Sequence, residues 1–152
     1  MTKRFFIVSI LLIVLLNSIA QTKPQPQPKP KPATPAPVSK VVMDRGKKVY
    51  DLVCIACHQA DGGGMPPMNP PLIKTKWVLG NKKDLVKIVL KGLKGGEIEI
   101  DGDTFNNPMP PQEALLTDQQ IADVLTYVRN TFGNKASVVT AAEVKTVRGV
   151  KK

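Results

Sequence analysis

Histidine occurs once in the 152 residues, cysteine twice and aromatic side chains only seven times. Each scarcity excludes something. Two cysteines three positions apart, Cys54 and Cys57, cannot staple a secreted disulfide scaffold. With His58 the only histidine, a structural zinc site lacks its second Cys or His pair. No apolar run reaches the eighteen or so residues of a membrane span. A chain so poor in aromatics, with 11 glycines and 14 prolines, is not expected to fill a large core from its own side chains, and a cofactor would complete it. The 42% apolar content still argues against a wholly disordered chain.

What is present falls into three stretches. Residues 1–20 place Lys3 and Arg4 ahead of an apolar run from Phe5 to Leu16, followed by Asn17-Ser18-Ile19-Ala20. That is the layout of a secretory signal peptide cut after Ala20, or of an N-terminal anchor if it stays in place, and either way the folded part is expected to be exported, for instance to a periplasm. Residues 21–39 hold seven of the fourteen prolines, mostly in Lys-Pro and Gln-Pro pairs, which suit an extended polyproline II spacer. At about 3.1 Å per residue it would reach roughly 50–60 Å, either as a membrane tether or as a solubilising tail. These two stretches carry five basic and no acidic residues, so the expected domain, residues 40–152, keeps only half of the net charge of +10.

Within the domain, Val42, Gly46, Val49, Tyr50 and Val53 recur at helical spacing and lead into Cys54. Residues 61–71 hold three glycines and four prolines and read as a constrained loop. A helix is expected from Asp84 to Leu93, ended by Gly95-Gly96. Residues 97–105 alternate isoleucine with acids around Asp101-Gly102, the signal of a small β-hairpin. Thr117 with Gln120 forms a capping box that opens a helix through Val124 and Val128 to Phe132, stopped by Gly133, and Thr140 with Glu143 opens a last short one. The fold class is therefore mostly α.

Cys54-Ile55-Ala56-Cys57-His58 is the attachment pattern of a c-type haem. Two thiols separated by two residues can each form a thioether with one haem vinyl group, and the adjacent imidazole is then held beneath the iron. A thioredoxin-like redox pair would need a strand-to-helix setting that is absent here, and a plain disulfide would leave His58 without a role. A second imidazole is excluded by count, so methionine is the natural second axial ligand. Met65 and Met68 follow His58 too closely, in a loop expected to pack on the histidine side. Met43 precedes the attachment helix. Met109 comes after enough chain to wrap a haem and sits between Pro108 and Pro110.

With these features the segment from Lys40 to about Gly133 resembles the class I monohaem cytochromes c. The resemblance rests on Gly46 with Tyr50, the Cys54–His58 motif, Pro70-Pro71-Leu72, Trp77, Pro108-Met109-Pro110-Pro111 and Tyr127. It implies several helices around one covalently bound haem c, its iron held by His58 and Met109, with the hairpin before the methionine loop. It further implies that Gly46 lies against the Val124–Val128 turn between Tyr50 and Tyr127. The Pro70 carbonyl would accept the His58 Nδ1 proton, and the Trp77 indole would meet a haem propionate. The hairpin resembles bacterial subgroups that include cytochrome domains attached to dehydrogenases, while residues 134–152 lie outside the minimal family pattern.

An iron held from both sides suits one-electron transfer between proteins in a respiratory or dehydrogenase chain, and no enzymatic reaction is expected. A gas-binding haem sensor and a structural subunit of a respiratory assembly are the competing functions. Leu72, Leu85, Val89 and Leu115 are expected to pack on the porphyrin. Residues 74–94 hold seven lysines against one acid, and residues 95–123 seven acids and no base. This basic stripe would steer an acidic redox partner. Nucleic acid is not an expected partner, because the stripe lacks interleaved aromatics.

Overall fold

A computed structural model describes residues 37–150 apart from residue 97. The leader and all but the last three residues of the spacer lie outside the described residues. The elements in chain order are α1 (Lys40–Val49), a π-helical turn (Tyr50–Cys54), α2 (Ile55–His58), α3 (Lys76–Leu79), α4 (Lys82–Lys91), β1 (Ile98–Ile100), β2 (Asp103–Phe105), α5 (Asp118–Arg129) and α6 (Ala141–Arg148). β1 and β2 form a two-stranded antiparallel sheet with Ile98 opposite Phe105 and Ile100 opposite Asp103.

The frame is set where α1 crosses α5. Gly46 is buried there, and a Cβ at this position would run into the main-chain oxygen of Asp123 and the Cβ of Tyr127. The absence of a side chain lets the two backbones touch. Beside it, the neighbouring Arg45 grips the buried Asp123 carboxylate in a two-pronged pair, Nε to Oδ2 at 2.6 Å and Nη2 to Oδ1 at 2.9 Å. Tyr50, Tyr127 and Phe132 close the crossing as an aromatic triad, with ring centroids 5.4–5.9 Å apart. The core gathers around it from Val49, Val86, Leu90, Ile121, Leu125 and Val128.

Both capping boxes form as their sequence signatures predict, at Thr117–Gln120 and Thr140–Glu143. Other boundaries shift. α4 begins at Lys82 because the Asn81 side chain accepts from the Lys83 N–H at 2.8 Å, and it ends at Lys91 because Gly92 takes φ +69°. The stop is therefore Gly92 and not Gly95-Gly96, which frees Leu93 from the helix. α5 ends at Arg129, three residues short of Phe132, which itself lies at φ +54°. The short α3 was not expected. Its cap is Thr75, whose hydroxyl accepts from the Val78 N–H at 3.2 Å.

The segment after α5 is part of the core. Val139 and Val144 are buried in it, and the Thr126 hydroxyl bonds both the N–H and the carbonyl of Val139. Asn134, 3% exposed, donates to the carbonyls of Leu72 and Val128 and accepts from the Lys74 N–H. Arg129 is likewise buried, its guanidinium spread over the carbonyls of Val78, Gly80 and Ser137. Burial lowers its pKa from the usual arginine value.

Candidate haem site

The helical path through the π turn carries the attachment motif to the edge of an apolar cleft. π turns of this kind widen a helix locally and recur at functional sites. Here the turn ends on Cys54, and α2 then carries Cys57 and His58. Cys54, Cys57, His58 and Met109 all line this one cleft, together with Leu72, Trp77, Leu85, Val89, Ile98 and Leu116. The cleft and its open mouth together hold about 1030 Å³ of space outside protein atoms.

The chemistry of each group follows from its surroundings. Cys54 is half-buried and Cys57 exposed, and neither is joined in a disulfide. Burial, with a smaller push from Cys57, raises the Cys54 thiol to about 11. His58 Nδ1 lies 3.0 Å from the Pro70 carbonyl oxygen. A carbonyl can only accept, so Nδ1 carries the proton and Nε2 is left with its lone pair. Burial lowers the His58 pKa, opposed by the Pro70 hydrogen bond, and so favours the neutral ring that a metal needs. Tyr50, buried below the motif, donates its hydroxyl to the Gln59 carbonyl at 2.6 Å and fixes the end of α2.

Met109 arrives differently. Its N–H and carbonyl pair with the carbonyl and N–H of Leu93, both at 2.9 Å. That approach requires Gly92: a Cβ there would collide with the Met109 main-chain oxygen. After Pro110 and Pro111, the N–H groups of Gln112 and Glu113 satisfy the carbonyls of Val89 and Leu90, which the end of α4 leaves open.

Trp77 lines the cleft, but its indole N–H donates to the Glu99 carbonyl of the hairpin at 3.3 Å. Leu72, Leu85 and Val89 face the cleft as expected, whereas Leu115 is 66% exposed and Leu116 takes its place. The cause is a tight turn in which the N–H groups of both leucines bond to the Gln112 carbonyl, rotating only the second one inward. Ile98, Ile100 and Leu93 also line the cleft and were not assigned from sequence. The alternating isoleucines of the hairpin were the available signal.

The cytochrome c family profile matches residues 43–132. The chain belongs to the cytochrome c family. Cytochrome c-552 of Thermus thermophilus is 36% identical over 115 residues, covering 70% of this chain and 86% of that protein. The cytochrome c subunit of the quinone alcohol dehydrogenase of Gluconacetobacter polyoxogenes is 37% identical over 105 residues, 68% of this chain and 22% of that subunit. The fructose dehydrogenase cytochrome subunit of Gluconobacter japonicus is 36% identical over 112 residues, again with 22% of its length covered. The chain thus spans about a fifth of these dehydrogenase subunits.

As a member of the cytochrome c family, the chain binds covalent haem c with its iron. The residues present fit that group. The cleft is lined mostly by apolar side chains and has two thiols and a neutral imidazole on its wall. Among the described residues, the one buried side-chain polar atom without a partner, Gln112 Oε1, also belongs to a cleft residue. Among the described residues no helix is long and apolar enough to cross a membrane.

Proposed function

We propose that this cytochrome is an exported one-electron carrier that works between respiratory or dehydrogenase partners, with Cys54 and Cys57 as the thioether residues and His58 and Met109 as the axial ligands. The observation that carries the reading is that these four side chains line a single apolar cleft. When bound, the haem supplies a one-electron couple, and ligation by one imidazole and one thioether favours the reduced iron.

The chain's own residues do the rest. The Pro70 carbonyl holds the imidazole in one tautomer and makes Nε2 a stronger donor. The paired main chain of Leu93 and Met109 fixes the thioether's backbone. Leu72, Leu85, Val89 and Leu116 exclude water, and Trp77 closes the cleft wall while its indole N–H ties it to the hairpin at Glu99. Residues 1–20 act as export leader or anchor, residues 21–39 as spacer and residues 40–152 as the electron-transfer domain.

Partner docking is assigned to the lysine stripe of residues 74–94. Lys82 pairs with Glu143 and Lys91 with Glu113, while Lys83 and Lys87 on α4 are exposed and form no ion pair among the described residues. An acidic redox protein is the matching partner, with an association rate that falls as salt rises. Several relatives are subunits of dehydrogenases, and one is a subunit of a cbb3-type oxidase, which supports both kinds of partner.

Visible absorption of the matured protein tests the reading. A sharp low-spin reduced spectrum with no carbon monoxide binding at neutral pH is expected. A high-spin ferrous spectrum that shifts with carbon monoxide would replace the carrier with a ligand-binding protein.

A further inference from the structure

The loop that supports His58 and the loop that carries Met109 are bonded directly to each other. Asn107 Nδ2 donates to Asn69 Oδ1 at 3.2 Å. Beside this contact, the Asn106 N–H donates to the Pro67 carbonyl at 3.4 Å and the Asn107 N–H to the Met68 carbonyl at 3.1 Å. Asn69 is only 6% exposed and is held from its own side by reciprocal main-chain bonds with Met65, both 2.9 Å. It immediately precedes Pro70, whose carbonyl holds His58 Nδ1. Asn107 stands two residues before Met109. Both asparagines line a small side pocket with Cys57, His58, Pro70 and Met109.

We propose that Asn69 and Asn107 form a clasp that positions the two axial-ligand segments as one unit, so that opening it on the histidine side releases the methionine. The proposal rests on the His58 and Met109 assignment made above. A thioether is a weak hydrogen-bond acceptor, so Met109 depends on its main chain for placement. That main chain is pinned to Leu93 at Met109 itself and to the Pro67–Asn69 loop through Asn106 and Asn107, with Pro108 between the two anchors. An amide suits the task because it offers donor and acceptor on a short side chain, and at Asn69 it is buried without the cost of a charge, while Asn107 reaches it from the exposed side. Without the side-chain bond, the segment keeps the Leu93 anchor and the two main-chain bonds to Pro67 and Met68 but loses the tie through buried Asn69, and it opens more often. The thioether then spends more time away from the iron, and an outside ligand competes better for the position.

The test is an imidazole titration of the ferric holoprotein at neutral pH, followed by loss of the weak long-wavelength band of thioether-to-iron coordination. The unmodified protein, Asn69→Ala, Asn107→Ala and the double variant are compared. Each single variant is expected to bind imidazole about five- to tenfold more tightly, the weight of one hydrogen bond, and the double variant no more tightly than either. The clasp is overturned if Asn69→Ala binds like the unmodified protein, or if the double variant shows the product of the two single effects. It is equally overturned if thermal stability falls while imidazole affinity stays fixed. Serine replaces alanine at both positions should the alanine variants fail to mature. If the unmodified protein lacks the band, the Met109 assignment itself is wrong and takes the clasp with it, an outcome distinct from all the others.

Discussion

His58 reaches the cleft on a continuous helical path, from α1 through the π turn to α2, whereas Met109 reaches it on a proline-flanked loop pinned to Leu93 by two main-chain hydrogen bonds. The first segment is anchored by the backbone-to-backbone crossing of α1 and α5 at the buried Gly46. The second leans on groups distant in sequence: Gly92, the carbonyls of Val89 and Leu90, and the Pro67–Asn69 loop. A helix packed into the core opens only with global unfolding, while a loop held by a few main-chain bonds opens at lower cost. The histidine segment is therefore the fixed one and the methionine segment the adjustable one.

The largest effect belongs to the fixed side. Replacing Cys54 and Cys57 together with alanine should abolish covalent haem, so that intact mass reports the bare polypeptide and the product is colourless. Next is Met109→Ala, which should keep the covalent group but give a reduced protein that binds carbon monoxide at neutral pH. That result would separate attachment from closure of the iron.

Glycine substitutions sharpen the contrast further. Gly46→Val forces α1 off α5 and should cost at least about 3 kcal/mol by chemical denaturation. Gly92→Ala strains a positive-φ position against the Met109 carbonyl; it should cost about 1–3 kcal/mol and disturb the thioether absorption band, which no substitution at Gly46 should do selectively. Equal spectral changes from both would break the distinction drawn here.

Arg148 tests how far the adjustable side is supported from the C-terminal end. Its Nε bonds the Asp118 carboxylate at 2.6 Å, and its two terminal nitrogens bond the carbonyls of Glu113 at 2.6 Å and Leu116 at 2.9 Å. Arg148→Ala should lower stability by about 1–3 kcal/mol in thermal melts.

The smallest effect is acidic. Burial pushes the Glu143 carboxyl up, but Lys82 and the Thr140 cap outweigh it and hold the group below its ordinary 4.5. A carboxyl depressed in the folded state contributes stability above that ordinary value and loses it as pH falls through the depressed one. Melting temperature should therefore fall a little more steeply on acidification from about pH 5 to pH 3 in the unmodified protein than in Glu143→Gln.

The same contrast explains what could be read from the sequence. The two capping boxes and the hairpin are local patterns, and all of them appear in the structure, while the Cys54–His58 motif is carried to the edge of the apolar cleft. Also present is the approach of α1 to α5 at Gly46, which the family resemblance implied and the helical stripe alone did not require. The end of α4 was misplaced because three glycines, at 92, 95 and 96, compete to stop it, and only the tertiary contact with Met109 selects the first. Leu116 rather than the expected Leu115 lines the cleft for a related reason: neighbouring leucines differ only in where a turn points them. The link between Asn69 and Asn107 leaves no periodic or compositional trace, since it joins two loops 38 residues apart.

The family match stops at residue 132, yet Val139 and Val144 lie inside the core and Asn134 and Arg148 tie distant loops together. A designer transplanting this cytochrome module onto an enzyme would do well to cut after α6. Trimming at the family border would strip away hydrophobic cover and loosen the scaffold beneath the metal.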